Sequence, residues 1–133
     1  MDFQLHTRLA ADTRFLADWE LSRVLLMDDA RFPWVILVPR KPALREIYDL
    51  EAHERAVLTE EISRAARGLT AATGCTKINI GALGNVVEQL HVHVVARGPA
   101  DVAWPGPVWG CGSAVRYEPD AVRALSARIL STL

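Results

Sequence analysis

The chain has 133 residues, half of them hydrophobic and 23% charged, with 15 basic against 16 acidic side chains. That balance fits a single domain over residues 1–133, long enough to bury its own core, and excludes a disordered chain. A net charge of −1 without any block of like charge argues against broad electrostatic binding of nucleic acid or of an anionic membrane. Cys75 and Cys111 form no Cys-x-x-Cys pair, so neither a zinc knuckle nor a disulfide framework is expected, and a reducing cytoplasm suits them. Met1-Asp2-Phe3-Gln4 has no basic head, and the longest apolar runs are strand-sized, so the expectation is a cytoplasmic protein with neither export nor membrane insertion.

In chain order, Leu5 to Ala11 suits a helical turn and Thr13 to Trp19 a short strand. Arg23 to Met27 is an apolar run stopped by Asp28-Asp29, and Trp34 to Pro39 is a second, closed by proline; the short link between them predicts an antiparallel pair. Leu44 to Tyr48 fits a turn or short helix, after which Asp49 is the expected N-cap of a long helix, Leu50 to Thr73, with Gly74 as its left-handed stop. Glu51/Arg55 and Glu60/Arg64 are spaced as surface ion pairs, each worth about 0.2–0.5 kcal/mol. Thr76 to Ile80 reads as a strand, and the loop Gly81-Ala82-Leu83-Gly84-Asn85 joins it to a further strand beginning near Val86 or Val87, making a hairpin. The proline- and glycine-rich stretch from Gly98 to Gly110 is expected to wrap the domain as an ordered loop that buries Trp104 and Trp109. Pro119 at a first helical turn, with Val122, Leu125, Ile129 and Leu130, marks a C-terminal helix.

The chemistry concentrates in Gln89-Leu90-His91-Val92-His93-Val94-Val95-Ala96-Arg97. Period two places Gln89, His91, His93 and Val95 on one face of a strand, and Leu90, Val92, Val94 and Ala96 on the core face. Taken alone, His-x-His is as readily a half-buried strand as a site. Two imidazoles on one side of a sheet suit a metal, yet His6, His53, Cys75 and Cys111 lie on segments with no reason to converge as further ligands, so no metal site or cofactor is expected. Gly81 and Gly84 serve either an ordinary hairpin loop or a loop whose N–H groups approach an anion.

The order helix, strand, glycine loop and the Gln89–Val95 motif resembles the histidine triad (HIT) superfamily of nucleotide hydrolases and transferases, whose motif is His-x-His-x-His followed by two apolar residues. The likeness is greatest to bacterial HIT-domain proteins with glutamine at the first motif position, and spans roughly residues 20–110. Val35-Ile36-Leu37-Val38-Pro39, Gly84-Asn85-Val86-Val87-Glu88 and Trp104-Pro105-Gly106 support it. The resemblance implies an α+β, HIT-like fold: an antiparallel sheet of about five strands with one long helix and a C-terminal helix, commonly a homodimer. It implies His91 as the nucleophile at the α-phosphorus, His93 as a contact to a phosphate oxygen, and Gln89 in the place of the first histidine. Asp28 falls near the ribose, with Asn79, Gly84 and Asn85 near the phosphate or ribose. Asp28 also reads as a turn residue and Asn79 as a strand residue bonded to backbone, while Arg97 is either a charge for the transferring phosphate or a strand-end residue. Two further departures stand out: Trp34 replaces an additional family histidine, and Val86 a serine or threonine that assists the leaving group. The activity implied is hydrolysis or transfer at the α-phosphate of a nucleoside phosphoramidate or dinucleoside polyphosphate, such as a diadenosine polyphosphate, through a nucleotidyl-histidine and without a cofactor. The alternative is a nucleotide-binding or regulatory module with little turnover.

Overall fold

Five short strands pair into one antiparallel sheet in the computed structural model, which describes residues 2–133. After a short helix, α1 (Thr7–Asp12), strands β1 (Thr13–Asp18), β2 (Ser22–Met27) and β3 (Trp34–Pro39) form a meander, while β4 (Lys77–Gly81) and β5 (Val92–Arg97) form the expected hairpin. The spatial order is β1-β2-β3-β5-β4. Strand β5 therefore has a partner on each side, and all six of its residues are buried.

Register decides what meets what. Ile36 lies opposite His93 and Trp34 opposite Val95, so these four share one face. The other face carries Val35, Leu37, Val94 and Ala96 against the long helix α2 (Ala52–Thr73) and the C-terminal helix α3 (Pro119–Leu130), through Ala65, Leu69, Leu125 and Ile129. Full burial of each such aliphatic side chain contributes about 1.5–3 kcal/mol, which makes this face the main core. On the His93 face a second apolar cluster, including Leu9, Phe32, Trp34, Ile36 and Val108, is built by α1, the β2–β3 turn and the loop after β5.

Several expected boundaries move for identifiable reasons. Helix α2 is capped by Glu51, not Asp49: Glu51 and Glu54 form a reciprocal capping box, with the Glu51 N–H donating to Glu54 Oε1 at 2.8 Å. The Asp49 carboxylate is already engaged upstream, accepting from the N–H groups of Arg45 and Glu46 around the short 3₁₀ turn Ile47–Asp49. Gly74 ends α2 at φ 67°, as its position predicts. The two surface pairs do not form. Arg55 turns back to the Leu50 carbonyl, and Arg64 lies 4.0 Å over the Trp19 ring, a cation–π arrangement.

The histidine strand also starts later than its sequence suggests, at Val92. The Leu90 N–H donates to the Leu44 carbonyl at 3.0 Å, so this residue is tied to a loop and not to a neighbouring strand. Residues 82–91 run as an irregular segment in front of β5. In the loop after β5, Trp109 is half-buried, whereas Trp104 stays 37% exposed, with its ring centroid 5.9 Å from the Arg97 guanidinium.

Candidate active site

Opposite the helices, on the Trp34/His93 face of the sheet, a cleft of about 440 Å³ is lined by both motif histidines, Gly84 and Asn85 of the glycine loop, and Trp34 and Trp109. The rings of His91 and His93 lie edge to face with centroids 4.9 Å apart, and both residues are buried. Their hydrogen bonds fix their protons. The Nδ1 of His91 lies 2.7 Å from the Gln89 carbonyl oxygen, which can only accept, so His91 carries its proton on Nδ1 and, when neutral, leaves Nε2 with a free lone pair. The Nδ1 of His93 lies 2.9 Å from Trp34 Nε1, an indole N–H that can only donate. His93 is therefore the opposite tautomer, protonated on Nε2. Burial, reinforced by the charge His91 can carry, pulls the His93 pKa down to about 3, so this ring is neutral at physiological pH.

Of the remaining predicted residues, Gly84 and Asn85 line the cleft, Gly84 in the left-handed region at φ 79° that its turn requires. Among the described residues the N–H groups of Gly84, Asn85 and Val86 have no intramolecular partner and stay available as donors. Gly81 plays a different part. A Cβ there would sit 2.9 Å from the Trp109 ring, so the missing side chain makes room for that indole and not for an anion. Gln89 does not join the histidines through its side chain. Its Oε1 accepts from the His6 N–H and its Nε2 donates to the Gln4 carbonyl, each at 2.8 Å, fastening the N-terminal segment, while its own carbonyl orients His91.

Asp28 and Asn79 lie outside the cleft lining. Asp28 accepts from Arg116 Nη1 and the Tyr117 N–H, both at 2.9 Å, and so clamps the segment leading to α3. Asn79 accepts from Arg97 Nη1 at 2.7 Å. Arg97 itself is 2% exposed and fully engaged with Asn79, Asp101 and the Gly106 carbonyl, which overturns the expectation that it meets a transferring phosphate.

The cleft has walls that sequence reasoning did not find. Asp29, the neighbour of Asp28, lines it together with Arg31, whose Nε and Nη2 grip the Asp29 carboxylate at 3.0 and 2.9 Å. Burial pushes the Asp29 carboxyl up, but its hydrogen bonds from Arg31 and the Val115 N–H outweigh that and hold it below the usual range. The spacing Asp29-x-Arg31 in a turn was the available signal. Among the described residues, no three His, Cys, Asp or Glu side chains converge as metal ligands, and no helix is long and apolar enough to cross a membrane.

A five-stranded antiparallel sheet whose inner strand carries one imidazole, with a second on the segment just before it and a glycine loop alongside, defines a histidine-motif α+β protein. Residues 8–100 match the HIT domain, and the chain belongs to the HIT family, which includes nucleotide hydrolases and transferases. It is similar to a solved histidine triad protein of Sinorhizobium meliloti, with 46% identity, a TM-score of 0.96 and coverage of 98% of this chain and 97% of that one. A histidine triad protein of Bradyrhizobium japonicum shares 44% identity at a TM-score of 0.97, covering 99% and 98% of the two chains. One of Marinobacter aquaeolei shares 45% at 0.95, covering 100% and 99%. No curated protein matches the chain.

Proposed function

We propose that this protein hydrolyses or transfers at the α-phosphate of a nucleotide, a nucleoside phosphoramidate or dinucleoside polyphosphate, with His91 as nucleophile. The observation that carries the reading is the Nδ1–H bond from His91 to the Gln89 carbonyl, which leaves Nε2 as the unprotonated nitrogen of a ring lining the cleft. In the first step the Nε2 lone pair forms a bond to the α-phosphorus, and the bond to the leaving atom breaks with its electron pair. In the second, water or another acceptor attacks phosphorus, the P–N bond returns its pair to Nε2, and nucleoside monophosphate or the transfer product leaves. The Nε2–H of His93 and the free N–H groups of the Gly84–Val86 segment are suited to meet the charge on the phosphoryl oxygens. Gln89 and Asp28 serve this site through the backbone they hold, and Asn79 through the Arg97 side chain. A cytoplasmic homodimer completes the proposal, and light scattering showing only monomer at micromolar concentration would count against that part.

Purified protein is expected to release nucleoside monophosphate from dinucleoside polyphosphates or phosphoramidates, with His91→Ala as the blank. A second reading is favoured by Gln89, whose side chain is diverted from the histidines: a nucleotide-binding module. Saturable nucleotide binding with no release above the blank selects it.

A further inference from the structure

We propose that Trp34 is a positioning residue that locks His93 as a permanently neutral Nε2–H donor, and that the site therefore selects substrates whose leaving group departs as a stable anion. The inference rests on the hydrolase reading above and deepens it. The Trp34 indole crosses diagonally from β3 to β5, with its ring 5.5 Å from that of His93, and both residues are buried. An indole N–H has no acceptor capacity, so it holds the Nδ1 lone pair of His93 without being able to take up or relay a proton. Trp109 closes the opposite contact, also at 5.5 Å.

The charged or titratable groups lining the same cleft are Arg8 and Asp12 of α1, Asp29 and Arg31 after β2, His91, and Cys111. Asp12 lies between Arg8 and Arg116, and Asp29 is held ionised by Arg31. His91 spends its Nδ1 proton on the Gln89 carbonyl. A neutral imidazole N–H stabilises charge by hydrogen bonding but is far too weak an acid to transfer its proton. Val86 supplies no hydroxyl. Among the described residues, the lining offers no acid for the leaving group apart from the Cys111 thiol, so when His91 attacks, the electron pair of the breaking bond remains on the departing atom. A phosphate or polyphosphate arm accepts it as an oxyanion; an amine, leaving as an amide anion, cannot. Arg8 and Arg31 on the cleft wall are each paired with a carboxylate, Asp12 and Asp29, so the wall adds no net charge and the leaving group's own acidity decides. The substrate class is a nucleoside phosphoric anhydride, not a phosphoramidate.

Two measurements on the full chain test this. Long-range ¹H–¹⁵N correlation spectra of ¹⁵N-histidine-labelled protein between pH 5 and 8 should show His93 neutral and protonated on Nε2 throughout. Trp34→Phe should release it, giving mixed tautomers. A wild-type His93 that carries its proton on Nδ1, or becomes cationic in that range, overturns the lock without any variant needing to fold; an unchanged tautomer in Trp34→Phe overturns the role of Trp34. In single turnovers, anhydrides should outpace phosphoramidates of the same nucleotide by about 10²–10⁴, the usual worth of a general acid, and Trp34→His should narrow the gap. Equal rates overturn the selectivity. No turnover on any substrate, with His93 still locked, sinks the hydrolase reading and the selectivity with it, while the tautomer assignment stands.

Discussion

His91 donates its Nδ1 proton to the carbonyl of Gln89, two residues earlier in the chain, at 2.7 Å. Because that acceptor is backbone, substitution of the Gln89 side chain does not remove it, and the nucleophilic Nε2 is set by the course of the chain in front of β5. His91→Ala should abolish both turnover and labelling by a nucleotide radioactive at the α-phosphate. His93→Ala should still label but react about 10²–10³ more slowly, the usual cost of one lost charge-stabilising donor. The adduct should survive alkaline quench and be removed by acid, as a phosphorus–nitrogen bond to imidazole is. Peptide mapping that places it on His93 would reverse the two roles.

Gln89 also has a measurable structural role. Its side chain exchanges two hydrogen bonds with the backbone of Gln4 and His6, and the contact is exposed, so water recovers part of what is lost on truncation. Gln89→Ala should lower stability by about 1 kcal/mol in urea titration. It should also raise amide exchange at His6. Unchanged protection at His6 would mean that the N-terminal segment is held by something else.

Gly81→Ala should disturb the site from a distance. The new Cβ would press on the Trp109 ring at 2.9 Å, and that ring packs on His93 and edge-on to Trp34 at 6.3 Å. Overpacking of this kind typically costs about 1–3 kcal/mol. The melting temperature should fall and the tryptophan emission shift together; an altered melting point with unaltered emission would place the strain elsewhere.

The inner strands were legible because β2, β3 and β5 are short apolar runs with clear stops, and the histidine pair because the two imidazoles stand one residue apart at the start of β5. What escaped depends on register and turn geometry. Trp34 could be seen to replace a histidine, but its bond to His93 needs the β3–β5 pairing that puts Val95, not His93, directly opposite it. Asp28 and Asp29 are indistinguishable as letters, and only the turn after β2 decides that one clamps Tyr117 while the other faces the cleft. Arg97 looked like a free charge at a strand end. Its burial follows from a loop that folds back to bring Asp101 and the Gly106 carbonyl onto it.

That loop carries an acid-sensitive anchor. Asp101 accepts from Arg97 Nε at 2.8 Å and Nη2 at 3.2 Å, and from the backbone of Gly98 and Ala103. The hydrogen bond from Arg97 is the main reason its pKa falls to about 2, against an opposing push from burial. The folded-state value lies below the unfolded one, about 3.9 for an aspartate, so the unfolded chain takes up the proton first as pH falls. The stabilisation is thus full above about pH 4 and lost progressively as pH falls through about 2. Asp101→Ala should remove that acid-sensitive component and leave the buried Arg97 guanidinium short of its carboxylate, a loss of about 3–5 kcal/mol for a broken buried pair. Denaturant midpoints of wild type and variant should differ widely at pH 6 and converge near pH 2; curves that stay parallel down to that pH would show that Asp101 is not the titrating anchor.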